Sequence, residues 1–247
     1  MSVSKPFRRT IRQFIDGKYA EGGRWGYVRH PQFAAEPEHY IRAFEVIQKD
    51  LMELFDFIEP SDTNLQCYSY RVHELFMRTC IEIEANFKAI LTENGYARSG
   101  DWNMTDYQKC EASHLLSSYE IKLPVWRGAQ HTRRPFANWM TGGSLSWYQD
   151  YNAAKHSRHG NFERANFSNL LDSLAALVAV LSAQFWTENF SPSSGFLALE
   201  GSRDGLAEAI GGYFRVKFPQ NWPINQRYDF DWATLRITSD PIQNFPY

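Results

Sequence analysis

The sequence predicts a mainly α protein, a helical bundle with a short inserted β segment and a small β appendage after the last long helix. Three observations lead to this fold class. Residues 37–59 and 68–93 repeat apolar side chains at the spacing of an amphipathic helix. Residues 162–189 are apolar on more than one helical face, as in a helix packed on several sides. In residues 193–247, short apolar runs alternate with glycine and proline, which is typical of strands joined by turns.

The first two helices have clear ends. The first begins near Pro37 and ends before Pro60, because proline fits the first turn of a helix but not its interior. The second ends at Asn94 and Gly95, residue types that commonly follow the last helical turn. The inward positions are Ile41, Phe44, Ile47, Leu51, Leu54 and Phe55 in the first helix, and Val72, Leu75, Phe76, Thr79, Ile83, Phe87, Ile90 and Leu91 in the second.

A short β segment interrupts the helices. Residues 119–126 alternate apolar and polar side chains, which is the period of a half-buried strand. The next helix is predicted to be capped by Ser144 or Ser146 and to run to about His159, where Gly160 interrupts it. The strand region is therefore an insertion in a body of four or five helices.

The long apolar helix is predicted to lie in the protein core. Asp172 and several other polar residues interrupt it, so it lacks the run of about 18 apolar residues that crosses a membrane. We therefore expect no membrane-spanning segment. After this helix, residues 196–199 and 213–218 are predicted to form strands.

Charge is unevenly distributed along the chain. Residues 1–30 hold seven Lys and Arg against two acids (+5), residues 36–62 hold eight acids against two bases (−6), and residues 122–164 hold seven bases against two acids (+5). Such segregation also arises from plain contacts between acidic and basic surfaces. We interpret residues 1–36 as a basic N-terminal arm, 37–192 as the helical bundle with its inserted strand region, and 193–247 as a small β-containing extension.

The composition excludes some classes of protein. The 247 residues hold 26 basic and 28 acidic side chains, and a net charge of −2 is too small for a protein that coats nucleic acid by bulk charge. Three cysteines without metal-binding spacing predict reduced thiols in the cytoplasm. We expect no secretory signal, because no apolar stretch follows the basic residues at the start.

The candidate site lies near the end of the helix that is predicted to run to about His159. A spacing of four places Tyr148, Asn152 and His156 on one helical face, beside Lys155 and Arg158. An imidazole next to two cations suits an anionic ligand, because the cations bind phosphate and His156 moves a proton near neutral pH. The alternative is that Asn152 and His156 are structural residues that fix the turn after the helix.

A second set of side chains is predicted to bind substrate. Aromatic rings near the third, basic segment are able to stack on unpaired bases beside the arginines of that segment. The alternative is that these rings pack in the core, which is the commoner role of aromatic residues at helical spacing. The predicted substrate-binding residues are Tyr148, Tyr151, His159, Arg133 and Arg134.

No metal or cofactor is predicted. His156 and His159 are three residues apart on a helix, but two histidines are too few without a fixed third ligand. The sequence has no G-x-S-x-G, P-loop or G-x-G-x-x-G motif, which disfavours the familiar serine hydrolases and nucleotide-binding folds. A metal-independent ribonuclease needs none of these, because the 2′-hydroxyl of RNA is its nucleophile.

The segment Y-N-A-A-K-H at residues 151–156, followed by a long apolar helix, resembles the signature region of the HEPN superfamily. Members of that family are helical bundles, and many are RNA-cleaving dimers of defence and toxin systems with the motif R-x(4 to 6)-H, frequently R-N-x-x-x-H. Aligned on Asn152 and His156, this chain has Tyr151 where the family has its arginine. The resemblance covers about residues 40–190. It implies His156 as general acid and base, with Asn152 as its polar companion.

The tyrosine is a departure from the family motif. A tyrosine does not stabilise phosphate charge electrostatically, as the family arginine is thought to do. Either Lys155 or Arg158 replaces that arginine, or the site is catalytically silent. The assignment of these two cations to phosphate comes from their place in this sequence and not from the resemblance.

The sequence therefore predicts a cytoplasmic, HEPN-like protein that binds RNA and cleaves it without a metal. The resemblance also implies a homodimer, since HEPN-like sites are usually completed across a two-fold interface. The alternative is a non-catalytic interaction or regulatory module that binds a protein partner and carries a degenerate site. For such a decayed site, Tyr151→Arg is expected to create or raise nuclease activity.

Overall fold

The computed structural model describes residues 2–19, 21–190 and 205–247. Within these ranges the protein is mainly α with a small antiparallel sheet, which confirms the predicted fold class. Helices α1 to α8 cover Pro37–Leu54, Tyr70–Glu93, Met104–Tyr107, Cys110–His114, Ser146–His156, Arg158–Asn161, Phe167–Phe185 and Trp232–Leu235. Strands β1 to β4 cover Glu120–Lys122, Thr132–Arg133, Ala207–Glu208 and Arg215–Lys217.

Helix α7 is the centre of the helical body. It packs against α1, α2 and α5, and all of its residues except Ser168 and Asp172 are buried. By length and composition α7 is apolar enough to cross a membrane, but 83% of the apolar window is buried inside the protein. That burial is typical of the core helix of a soluble protein. The helix starts at Phe167 because the Asn166 side chain caps it, accepting a hydrogen bond from the Asn169 amide (3.0 Å).

Helices α1 and α2 confirm the first two predicted helices. Helix α1 ends at Leu54, six residues before Pro60. Helix α2 begins at Tyr70 because the Ser69 hydroxyl accepts a hydrogen bond from the Val72 amide (3.2 Å). Both helices bury their apolar stripes in the common core with α7.

The start of α5 differs from the prediction. Leu145 occupies the N-cap position, and neither Ser144 nor Ser146 caps the helix. The loop before the helix is fixed instead by Asn138, whose side-chain amide donates to the Ser144 carbonyl oxygen (2.9 Å). The two serines lie one residue to either side of the cap, so the capping preference of serine is not used here.

The predicted end of this helix is also wrong. Ser157 has φ −143° and ψ 65°, outside the helical region, so α5 ends at His156. The short helix α6 then carries the chain to Asn161. His159 therefore does not continue the helical face that carries His156.

The small sheet joins the inserted segment to the C-terminal segment. Its strand order is β2-β1-β4-β3, and each neighbouring pair is antiparallel. Ile121 of β1 lies opposite Val216 of β4, and both are buried on the side of α7. Strands β1 and β4 lie within the segments predicted at residues 119–126 and 213–218, over fewer residues. The strand predicted at residues 196–199 lies outside the described residues.

The N-terminal segment contributes to the core. Arg9 and Arg12, two of the residues that make this segment basic, are buried. The Ile11 amide donates to the Ala183 carbonyl oxygen of α7 (2.9 Å), and β bridges pair this segment with Tyr228. One connected hydrophobic core thus contains residues of all three segments defined above. Their division at residues 36 and 192 stays a prediction from the sequence.

Candidate functional site

A shallow groove between α2 and α5 holds most of the predicted catalytic residues. Its volume of about 520 Å³ is in the range of small-ligand sites, and it is open to solvent. One wall is a stripe along α2, and the other is the last turn of α5 with a residue of α6. The lining residues are His73, Met77 and Ile81 on α2, Tyr151, Ala154, Lys155 and His156 on α5, and Arg158 on α6.

The groove has a positive character. Lys155, His156 and Arg158 are exposed, and none of the described residues that line the groove is acidic. The Lys155 ammonium lies 5.1 Å from the centroid of the Tyr151 ring, and the Arg158 guanidinium lies 5.9 Å from that of Tyr70. Because aromatic faces attract cations, these rings help to hold the two charges at the groove. The arrangement suits an anionic ligand such as a phosphodiester.

His73 is a groove residue that the sequence reasoning missed. It is half-buried on α2, and its ring lies 5.6 Å from the Phe162 ring between centroids. Its buried Nε2 has no hydrogen-bond partner among the described residues. Burial, and then the nearby Arg158 guanidinium, lower the pKa of His73. The imidazole is therefore neutral at neutral pH and available to accept a proton.

Tyr148 and Tyr151, two predicted substrate-binding residues, are buried. Tyr151 has no exposed surface and Tyr148 is 7% exposed. The Tyr148 hydroxyl donates to Oε1 of Glu84 on α2 (2.9 Å), while the Tyr151 ring packs 6.1 Å from that of Phe76. Burial raises the pKa of both hydroxyls, which stay neutral. A packed, uncharged ring thus occupies the position that aligns with the HEPN arginine.

Asn152 and His159 lie outside the groove lining. Asn152 is half-buried within α5, and His159 is exposed on α6. Of the polar stripe predicted from the spacing of four, only His156 lines the groove. The helix break at Ser157 explains why His159 does not continue the helical face that carries His156.

Arg133 and Arg134 lie at a separate place, on and next to β2. The Arg133 guanidinium donates to Oδ1 of Asp172 (3.1 Å) and to Oγ of Ser168 (3.3 Å), both on α7. Arg134 is exposed and donates to the Ser117 carbonyl oxygen (3.4 Å). Arg133 thus ties β2 to the core helix, and the α2/α5 groove does not include either arginine.

The histidines of this region do not form a metal-type cluster. In the described ranges, no group of three or more His, Cys, Asp and Glu side chains is placed to hold a metal ion. Asp150, the acid nearest in sequence to His156, accepts hydrogen bonds from the side chains of Asn169 (2.9 Å) and Arg164 (3.2 Å). The groove itself offers imidazoles and cations.

Four of the nine predicted site residues therefore line one groove: Tyr151, Lys155, His156 and Arg158. Comparisons with protein-family models, with curated proteins and with solved structures found no match to this chain. The proposed function rests on the chemistry of the groove residues.

Proposed function

We propose that this protein binds RNA in the α2/α5 groove and cleaves it without a metal, as a HEPN-like ribonuclease of a defence or toxin-type system. The observation that carries the proposal is the groove lining, where His73 and His156 lie with Lys155 and Arg158 and no lining residue in the described ranges is acidic. Two imidazoles supply a proton acceptor and a proton donor, and two cations bind the phosphate between them.

The cleavage step follows from the different surroundings of the two histidines. His73, whose lowered pKa keeps it neutral, accepts the proton of the ribose 2′-hydroxyl. The 2′-oxygen then forms a bond to phosphorus, and the bond from phosphorus to the 5′-oxygen of the next nucleotide breaks. His156 donates a proton to that leaving oxygen. The products are a 2′,3′-cyclic phosphate and a free 5′-hydroxyl.

Lys155 and Arg158 are assigned to the phosphate. Both are exposed at the groove and neither makes an ion pair among the described residues. Arg158 offers a planar fork of donors that matches two phosphate oxygens, whereas Lys155 offers a compact charge. Together they replace the charge that the HEPN motif places at the position of Tyr151.

The test is metal-free incubation of wild type, His156→Ala and His73→Ala with a mixed RNA pool, followed by analysis of fragment ends. We expect 2′,3′-cyclic phosphate ends from wild type and a loss of about 10²- to 10⁴-fold in rate for each variant. His159→Ala is the matched control, because this exposed imidazole lies just outside the groove. An unchanged rate in His156→Ala contradicts the proposal.

We also propose that the protein acts in the cytoplasm as a homodimer. The three cysteines are free thiols, which suits a reducing compartment. Dimerisation is an expectation from the HEPN resemblance. Light scattering on the purified protein measures it, and a mass of one chain at all concentrations tested contradicts it.

A non-catalytic interaction module is the second candidate, and the buried Tyr151 ring favours it. The motif position that needs a charge in active HEPN proteins holds a core residue here. RNA that stays intact in all samples supports this reading. Tyr151→Arg is then a poor restoring variant, since a charge at this buried position is expected to cost about 3 kcal/mol or more of stability.

A further inference from the structure

Three aromatic side chains form a surface next to the α2/α5 groove, at the start of α2. Tyr70 is 70% exposed and Tyr68 is 53% exposed. Both rings pack against the half-buried Phe162: the Tyr70 ring centroid lies 4.8 Å and the Tyr68 ring centroid 5.7 Å from the Phe162 ring centroid. We call Tyr68, Tyr70 and Phe162 the aromatic platform.

Two residues that line the groove lie beside the platform. The Arg158 guanidinium lies 5.9 Å from the Tyr70 ring centroid, and the His73 ring lies 5.6 Å from that of Phe162. Both Arg158 and His73 line the groove. A ligand whose phosphate lies at Arg158 therefore has the platform within the reach of the adjoining base.

Exposure distinguishes this platform from the packed aromatic residues of the core. Tyr148 and Tyr151 are almost fully buried, whereas Tyr70 is 70% exposed. An exposed ring fixed against a second ring is a preorganised stacking surface. Its cationic neighbour makes a negatively charged, aromatic ligand a better match than an apolar peptide.

We propose that the aromatic platform stacks an unpaired nucleobase of the bound strand, so that the substrate class is single-stranded RNA. This inference rests on the proposed function, because it uses the phosphate site of the same groove. In a duplex the bases are paired and stacked on one another, so the platform has no face to contact. The platform binds any unpaired base and does not distinguish one base from another, since every base has a π face.

The test measures binding without cleavage. The probe is a fluorescent 2′-O-methyl oligoribonucleotide, which lacks the nucleophilic hydroxyl, in single-stranded and duplex form, followed by anisotropy at several salt concentrations. We expect Tyr70→Leu to weaken single-strand binding by about 5- to 150-fold and to leave the salt dependence unchanged. Tyr70→Phe keeps the ring and is expected to bind like wild type.

Two further variants separate stacking from charge. Lys155→Gln is expected to weaken binding and to reduce the salt dependence, because one phosphate contact is lost. Phe57→Leu changes an 86% exposed ring that lies by α1, outside the platform and the groove, and is expected to have no effect.

The outcomes distinguish the two proposals. If Lys155→Gln weakens binding and Tyr70→Leu does not, or if the duplex binds as tightly as the single strand, the stacking inference is overturned while RNA binding in the groove stands. If wild type binds neither probe, the proposed function is overturned, and the inference with it.

Discussion

At the residue scale, the two groove imidazoles have unequal environments. His156 is exposed at the end of α5, while His73 is half-buried with the Arg158 guanidinium nearby. Desolvation and a neighbouring positive charge both disfavour the protonated form. This asymmetry is the reason that the proposed cleavage step gives the acceptor role to His73 and the donor role to His156.

A pH dependence of cleavage follows from that assignment. The base is active only when it is unprotonated, so kcat/KM rises with pH as His73 loses its proton. Because the pKa of His73 is lowered, we expect the midpoint of this acid limb to lie below about 6.5, the ordinary value for histidine. A pH profile of wild type and His73→Ala checks this. An acid limb that persists unchanged in the variant contradicts the assignment.

At the element scale, capping distinguishes α2 from α5. The Ser69 hydroxyl accepts from the Val72 amide at the start of α2, whereas the serines flanking the start of α5 cap nothing. We expect Ser69→Ala to lower the free energy of unfolding by about 1 kcal/mol. Ser146→Ala is the control and is expected to change it by less than about 0.5 kcal/mol. Urea denaturation measures both, and equal losses argue against the capping difference.

Local patterns predicted the long helices but not the composition of the site. The spacing of apolar residues predicts α1, α2 and α7, because each of these helices buries one or more faces. Helix α5 ends because the backbone of one residue, Ser157, leaves the helical region. The spacing of apolar side chains does not predict such a change at a single residue. His73 was missed because only tertiary packing decides that its edge of α2 faces α5.

At the scale of the whole molecule, Arg12 joins distant parts of the chain. Arg12 is buried, and its guanidinium donates to the carbonyl oxygens of Ser113 (2.9 Å) and Gln226 (3.2 Å). It also lies over aromatic rings at centroid distances of 4.8 Å for Phe7, 4.6 Å for Trp222 and 5.4 Å for Phe245. Arg12, which lies in the predicted basic N-terminal arm, is thus a buried residue that connects the N-terminal and C-terminal segments.

Removing this tie is expected to destabilise the protein. Arg12→Ala leaves the carbonyl oxygens of Ser113 and Gln226 without their guanidinium donor and opens space between aromatic rings, at a cost of about 3 kcal/mol. Lys5→Ala is the control, because the Lys5 ammonium contacts Asp240 at the surface, at a carboxylate oxygen (3.3 Å) and at the backbone carbonyl oxygen (2.7 Å), and is expected to contribute less than about 1 kcal/mol. Thermal and urea unfolding compare them, and similar losses in both variants contradict the role of Arg12.

The pairing of the first residues with the last ones also bears on synthesis. Val3 pairs with Tyr228 and Phe7 with Gln243, so the partners of the N-terminal segment leave the ribosome long after that segment does. Until they emerge, Arg12 lacks Gln226 and Trp222. At that stage α7 and the helices packed against it have been synthesised, whereas the N-terminal segment still lacks its partners. We expect a chain truncated before Trp222 to leave Arg12 uncovered and to be more open to proteolysis than the longer chain.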